Sequence, residues 1–255
     1  MNKVAFVTGG VRNSGLAIAR RFAAEGYDVC ITSRKAADAE RCAQQLTAEF
    51  GVTVKGYGLD LQDVQDIRRV FADVSATFGR LDVFVGNSAD LGVGQTLLGM
   101  TPEEFDALMN VNVRGNFFCC QESAKLMAQN HSGSIVLIGS IHYRGAIYGR
   151  IGYAASKGAI ASMVHNMAFE LAEHGIRVNQ VVPGAIHTDR WDNSTPEEMA
   201  KRRANWPLGI ESTGDDIANA VYFMASEQAK TITGTELVVD SGTLACVLTY
   251  NGGKH

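Results

Sequence analysis

Tyr153 and Lys157 stand four residues apart in the run Tyr153-Ala154-Ala155-Ser156-Lys157. On a helix that spacing puts both side chains on one face. A tyrosine with its ordinary pKa near ~10 is a poor acid or base at neutral pH. A nearby ammonium favours the phenolate and lowers that value. Tyr153 can then give a proton to an alkoxide in a reduction, or take one from an alcohol in an oxidation. Ser140 closes an apolar run 153 − 140 = 13 residues upstream. A hydroxyl at the C-terminal end of a parallel strand faces the crevice where open α/β sheets bind ligands. There it would polarise and orient a substrate oxygen. Singly, these residues have plainer readings: a strand-end cap for Ser140, a surface charge for Lys157.

Such chemistry needs a hydride carrier, and the N-terminal stretch offers a place for one. Val4 to Thr8 runs into Gly9-Gly10-Val11-Arg12-Asn13-Ser14-Gly15, followed by an amphipathic segment. A glycine-rich turn between a first strand and a helix lets backbone approach a pyrophosphate at the helix N-terminus. Plain turn chemistry would also explain the glycines. The second strand ends Thr32-Ser33-Arg34-Lys35. It lacks the acid that commonly grips a ribose 2′-hydroxyl. An arginine suits a 2′-phosphate, which its planar fork binds with charge assistance. Arg12 would be a second cation for that phosphate, so NADP(H) is expected over NAD(H). If Arg34 and Lys35 were only a solvated loop end, the missing acid would have no explanation.

The elements that must position these residues alternate along the chain. Strands are expected at Val4–Thr8, Tyr27–Thr32, Val52–Gly58, Asp82–Val85, Ser134–Gly139, Ile176–Val182 and Glu236–Asp240. Helices are expected at Gly15–Glu25, Ala36–Phe50, Val64–Phe78, from Thr101-Pro102 onward, Tyr153–His174 and Asp215–Ser226. The Thr101-Pro102-Glu103-Glu104 start carries an N-cap threonine, a first-turn proline and acids at the positive end of the dipole. Alternation of this kind predicts an α/β fold: a single doubly wound, Rossmann-like domain over 1–255, with about seven parallel strands and helices on both faces. The long irregular region lies at about 187–213 and holds Trp191 and Trp206 around a short helical stretch. A loop of that length is usually functional, and a substrate lid is expected.

These motifs resemble those of the short-chain dehydrogenase/reductase family from Val4 to about Gly242, including members such as 3-oxoacyl-ACP reductases and sugar or alcohol dehydrogenases. The turn resembles TGxxxGxG, with Asn13 in place of the middle glycine. Asparagine tolerates left-handed backbone better than most residues. The family's NNAG is represented by Gly86-Asn87-Ser88-Ala89, with Asn87 alone in register. The resemblance implies a tetrad of Asn112, Ser140, Tyr153 and Lys157, with Asn112 holding a water that links Lys157 to solvent. It implies Asp60 and Leu61 beside the adenine, and Gly184, Ile186 and Thr188 around the nicotinamide. The expected dinucleotide contacts are thus Gly9, Arg12, Asn13, Ser14, Gly15, Ser33, Arg34, Asp60, Leu61, Asn87, Tyr153, Lys157, Gly184, Ile186 and Thr188. Substrate is expected against Ser140, His142 and Tyr153. In the resembled family, the helices at Phe105–Ala124 and Ala155–Leu171 build a subunit interface, so a homotetramer or homodimer is expected.

The 255 residues carry 23 basic and 27 acidic side chains, a net charge of −4. That balance gives no nucleic-acid surface. No apolar run reaches the ~18 residues of a membrane span. The five cysteines form no CxxC, so buried free thiols and a cytoplasmic location are expected. The histidines lack metal-ligand spacing, and no metal is expected. Tyr143, Arg144, Tyr148 and Arg150 either line the substrate pocket with His142 or form a polar surface loop. His187 is a further pocket candidate, and the tail with Tyr250 and Asn251-Gly252-Gly253 is a candidate to reach a neighbouring subunit. The reading is a hydride-transferring oxidoreductase acting on a small carbonyl or secondary alcohol. The alternative is a non-catalytic dinucleotide sensor, which would need no proton relay; a dehydratase or epimerase would need a further acid or base.

Overall fold

A computed structural model describes residues 2–204 and 206–246. Seven strands form one parallel sheet: β1 (Val4–Val7), β2 (Asp28–Ser33), β3 (Val54–Gly58), β4 (Val83–Gly86), β5 (Gly133–Ile138), β6 (Ile176–Pro183) and β7 (Glu236–Val239). Their order is β3-β2-β1-β4-β5-β6-β7. The helices are α1 (Asn13–Ala24), α2 (Ala36–Phe50), α3 (Val64–Phe78), α4 (Pro102–Met109), α5 (Asn116–Ala128), α6 (Ile151–Leu171), α7 (Pro196–Arg203) and α8 (Gly214–Ala225). The chain order reverses between β1 and β4. That switch opens a crevice at the C-terminal ends of the strands.

Strand alternation divides the core into two layers. Ala5 and Val7 of β1 face one side, with Ile18 and Phe22 of α1, Leu46 of α2 and Val221 of α8. Val4 and Phe6 face the other, with Ile67 and Phe71 of α3, Cys119 of α5 and Val164 of α6. Phe6 stacks on Phe71 at 4.8 Å between ring centroids and meets Phe84 at 5.8 Å. A fully buried side chain of that size contributes roughly 1.5–3 kcal/mol. The central strands β1, β4 and β5 read as near-continuous apolar runs because both faces are covered, whereas the edge strands β3 and β7 do not. Cys30, Cys42, Cys119 and Cys120 are buried free thiols, as expected.

Helix starts follow the sequence signals. Thr101 and Glu104 form a reciprocal capping box with Pro102 in the first turn, and Thr195–Glu198 and Thr213–Asp216 repeat the device. Two features differ from the expectations. Between α4 and α5 the helix widens into a π turn, Asn110–Gly115, which no hydrophobic period announces. The 187–213 segment is more ordered than an irregular loop. It holds a 3-10 turn at Asp189–Trp191, helix α7, and a bridge pairing Ile186 with Ser212. No helix among the described residues is long and apolar enough to cross a membrane. Tyr250 and Asn251-Gly252-Gly253 lie outside the described residues.

Candidate active site

The glycine turn sits at the C-terminal end of β1. Gly9 N donates to Thr32 Oγ1 at 3.2 Å and Gly10 N to Thr32 O at 3.1 Å, which ties the turn to the end of β2. Gly9 has φ +64, and a Cβ there would lie 2.6 Å from Ser88 Oγ. A Cβ on Gly15 would lie 2.1 Å from Gly9 O, a contact with rigid backbone. Asn13 adopts φ +48, so it takes the left-handed conformation that a glycine would supply. Arg12, at the N-cap of α1, makes no side-chain cap bond, and the first turn holds no acid. The first N–H groups of α1 are therefore open to an anion.

Asn87 holds this turn in place. Its Nδ2 donates to Thr8 O at 2.9 Å, and its Oδ1 accepts from Ser14 Oγ at 3.2 Å. Thr8 Oγ1 accepts in turn from Asn87 N at 2.9 Å and Ser88 N at 3.0 Å. The side chain of Asn87, expected at the dinucleotide, thus ties the turn together through one backbone carbonyl and one serine hydroxyl. Arg12 and Arg34 are exposed, and neither pairs with a carboxylate among the described residues. Ser33 lies half-buried at the end of β2. Asp60 turns its carboxylate back to Gln62 N at 2.9 Å, while Leu61 is buried against the π turn.

Across the crevice, Gly184 N donates to Val239 O at 2.9 Å, and a Cβ on Gly184 would lie 2.8 Å from Asp240. Thr188 Oγ1 is buried with no hydrogen-bond partner. A hydroxyl stranded there and a glycine cradle opposite fit an extended, hydrogen-bonding dinucleotide. The residues present accommodate the cofactor.

Helix α6 begins at Ile151, two residues earlier than the pattern indicated, so Tyr153 falls in its first turn. Tyr153 is 7% and Lys157 3% exposed. Lys157 is not a surface charge. Its Nζ donates to Ile138 O at 2.6 Å and lies 5.5 Å from the centre of the Tyr153 ring. Burial pushes the Lys157 pKa down to about 8. Burial also raises Tyr153 above its ordinary value, while a hydrogen bond with Ser140 and the charge of Arg150 pull it back. The lowering expected from Lys157 is not what governs Tyr153: desolvation outweighs the hydrogen bond and the charge of Arg150.

Ser140 also caps the following 3-10 turn, accepting from His142 N at 3.3 Å. The π turn carries Asn112, whose Nδ2 donates to Asp90 O at 2.8 Å and Ser156 Oγ at 3.0 Å. Asp90 N donates to Asn112 Oδ1 at 2.7 Å, and Ser156 Oγ donates to Tyr153 O at 2.7 Å. Both amide N–H groups of Asn112 are taken. Its main-chain carbonyl accepts from Asn116 Nδ2 at 2.9 Å. Asp90 and Ser156, which hold Asn112 and α6 together, were not among the expected site residues. Ser156 lies between the two residues that drew attention, and Asp90 carries no local motif.

The residues between Ser140 and Tyr153 divide. His142 stands edge-on to Tyr153, ring centroids 6.3 Å apart. Burial lowers its pKa, opposed by a backbone hydrogen bond to Gly145 and reinforced by Arg150, so it is neutral at pH 7. Tyr143 and Arg144 both turn away to Glu236. Tyr148 projects into solvent. His187 contacts Asp192 at 3.1 Å and Glu211 at 3.4 Å within the 187–213 segment. There Arg202 pairs with Glu211 and lies over Trp191 at 3.7 Å.

Comparison with known proteins supports one assignment. A family model described as "Enoyl-(Acyl carrier protein) reductase" matches residues 10–243. The chain is 34% identical to 2-(S)-hydroxypropyl-CoM dehydrogenase 3 of Xanthobacter autotrophicus, over 96% of this chain and 97% of that one. It is 33% identical to a 3-oxoacyl-[acyl-carrier-protein] reductase of Staphylococcus aureus, over 95% and 98%. Among solved structures, ElxO with NADP bound superposes with a TM-score of 0.89 at 30% identity, covering 96% of this chain and 100% of that one.

Proposed function

The chain belongs to the short-chain dehydrogenase/reductase family, whose oxidoreductases use nicotinamide dinucleotides, and from that premise we propose that it transfers a hydride between NADP(H) and a carbonyl or secondary alcohol carbon of a small substrate. The burial of Tyr153 and Lys157 together beside Ser140, at the strand ends that face the glycine turn, supports this most strongly. When bound, the dinucleotide supplies or takes the hydride and, oxidised, adds a positive charge beside the phenol. Ser140 and Tyr153 hydrogen-bond the substrate oxygen and orient it. During reduction Tyr153 gives its proton to that oxygen as negative charge develops there. The Lys157 ammonium stabilises the phenolate left behind. A water held at Asn112 would return a proton from solvent. Gly9, Gly15 and the N-terminus of α1 hold the pyrophosphate, and Thr188 Oγ1, Gly184 and Ile186 hold the nicotinamide end.

The family model's description names enoyl reduction. Enoyl reduction also develops negative charge on a thioester oxygen, so the phenol alone does not choose; the similarity to a hydroxypropyl-CoM dehydrogenase and a 3-oxoacyl reductase favours the carbonyl reading. Asn13 preserves the left-handed turn, which weakens the case for a non-catalytic sensor.

NADPH should bind more tightly than NADH. Arg12→Ala and Arg34→Ala should each weaken NADPH by about tenfold and leave NADH nearly unchanged, because only the 2′-phosphate would be lost as a partner. Fluorescence titration checks this, and equal affinity for the two nucleotides in the wild type would remove the 2′-phosphate site. A ketone panel followed by nicotinamide absorbance, with an enoyl thioester as control, tests the reaction class.

Two further parts of the reading have their own tests. The 187–213 segment closes over substrate, so adding NADP(H) and then a reacting ketone should change the emission of Trp191 and Trp206. An unchanged spectrum would argue for a fixed wall. Phe105 on α4, Phe117 on α5 and Phe169 on α6, the last 87% exposed, are large apolar side chains left to solvent that a second copy would cover. Sedimentation should therefore give a dimer or tetramer, and Phe169→Glu should shift it toward monomer.

A further inference from the structure

Between Ser140 and Tyr153 the chain carries two arginines, and they are treated differently. Arg144 is neutralised by Glu236. Arg150 pairs with no carboxylate among the described residues. It is the N-cap of α6, and its side chain makes no cap bond there. Three residues on, Tyr153 lies on the same side of the helix, where neighbours sit roughly 5–6 Å apart between Cβ atoms.

Two contacts fix Arg150 at the rim of the crevice. Its Nη1 donates to Leu91 O at 2.9 Å, and its backbone bridges to Gln95. One face of the guanidinium fork is thus anchored on the loop after β4, leaving further N–H donors unassigned. Its charge reaches both His142 and Tyr153, the two residues expected against substrate, and lowers the pKa of each. His142 is neutral and adds no charge of its own. With the buried Lys157 ammonium, Arg150 gives the pocket a second positive charge that no carboxylate pairs among the described residues, set beside the group that handles the reacting oxygen.

Resting on the reductase reading, we propose that Arg150 selects substrates bearing an anionic group, a carboxylate or a sulfonate, a short spacer away from the reacting carbonyl. An anion on the free N–H groups of Arg150 gains charge-assisted bonds of defined direction. It also balances a charge that the fold leaves uncompensated. The anchor on Leu91 O fixes the guanidinium before substrate arrives, so little side-chain entropy is lost on binding.

The test is calorimetric titration of the NADP(H)-loaded protein with two matched pairs. One is 4-oxopentanoate and its methyl ester; the other is 3-oxobutane-1-sulfonate and butan-2-one. The anion should bind about tenfold or more tightly than its neutral partner in at least one pair, and which pair shows it identifies the acid. Arg150→Gln should erase that preference while leaving the neutral ketones within about threefold. Arg150→Lys should keep part of it, since the charge remains and the fork is lost. Equal losses for anion and neutral ketone in Arg150→Gln would make Arg150 a structural clamp only and overturn the proposal. So would a wild type that binds neither anion more tightly than its partner. Anion binding without oxidation of NADPH on any ketone would leave the anion site standing and count against the reductase reading instead.

Discussion

Tyr153→Phe should lower kcat by about a thousandfold or more while NADPH affinity stays within about threefold. The change removes one oxygen from a buried ring. Its hydrogen bond with Ser140 is lost, but the ring's packing, including the edge-on contact with His142, is kept. Stability should move by no more than about 1 kcal/mol, because a neutral hydrogen bond and the desolvation of its hydroxyl nearly offset. The chemistry loses its proton donor, and general acid catalysis of this kind contributes about 10²–10⁴ in rate. Stopped-flow absorbance with a reactive ketone measures the loss, and nucleotide titration of the same protein measures binding. A variant that retained a tenth of wild-type kcat would assign the proton transfer elsewhere, with His142 the next group to examine.

Lys157→Met should cost about as much in turnover, and its effect on stability should have the opposite sign. The ammonium is buried with a single carbonyl partner, Ile138 O, and its pKa falls to about 8. In the unfolded chain it returns to about 10.4. Between about pH 8 and 10.4 the unfolded chain holds a proton that the folded chain does not. Wild-type stability from this group therefore rises with pH across that window, and below pH 8 the full penalty of burying the charge remains. Methionine carries no such penalty. Without cofactor, Lys157→Met should be at least as stable as wild type at pH 7, and the difference should shrink by on the order of 2 kcal/mol toward pH 10. Paired urea unfolding at pH 7 and pH 10 checks this. A gap that widened with pH would mean that the lysine is not a strained charge. A gap that shrinks as expected would mean that the residue is kept for turnover at a cost to the resting fold, a common trade at catalytic sites.

Much of this arrangement was legible in the sequence. Strands buried on both faces announce themselves as unbroken apolar runs, and α2 and α3 fall on their expected bounds because strong helical periods define them. That Tyr153 and Lys157 share one helix was legible from their spacing, and their burial together is what the fold adds. What escaped was non-local. Asn87, expected at the dinucleotide, also ties the turn together through Thr8 and Ser14, 79 and 73 residues away, which no local pattern shows. Asp90 and Ser156 matter through their bonds to Asn112, which come from different parts of the chain. Arg144 and Arg150 look alike in the sequence, and only the fold sends one to Glu236 and leaves the other at the crevice. The order within the 187–213 segment was half visible: α7 has a threonine-proline start, but the bridge of Ile186 to Ser212 has no local signal.

The π turn at Asn110–Gly115 constrains how this chain can change length. It holds one residue more than an α-helix would need to join α4 to α5. Deleting a single residue there would heal the backbone into regular helix, locally the more favourable form. The repair would leave α4 and α5 nearly in phase, because five residues of a π turn cover about the rotation of four in an α-helix. Leu108 would stay in the interior, but the widening that presents Asn112 to Asp90 O and Ser156 Oγ would be lost. Here the improved helix would be the damaged protein, so chain length between Pro102 and Ala128 should be among the most rigidly kept features of any working variant.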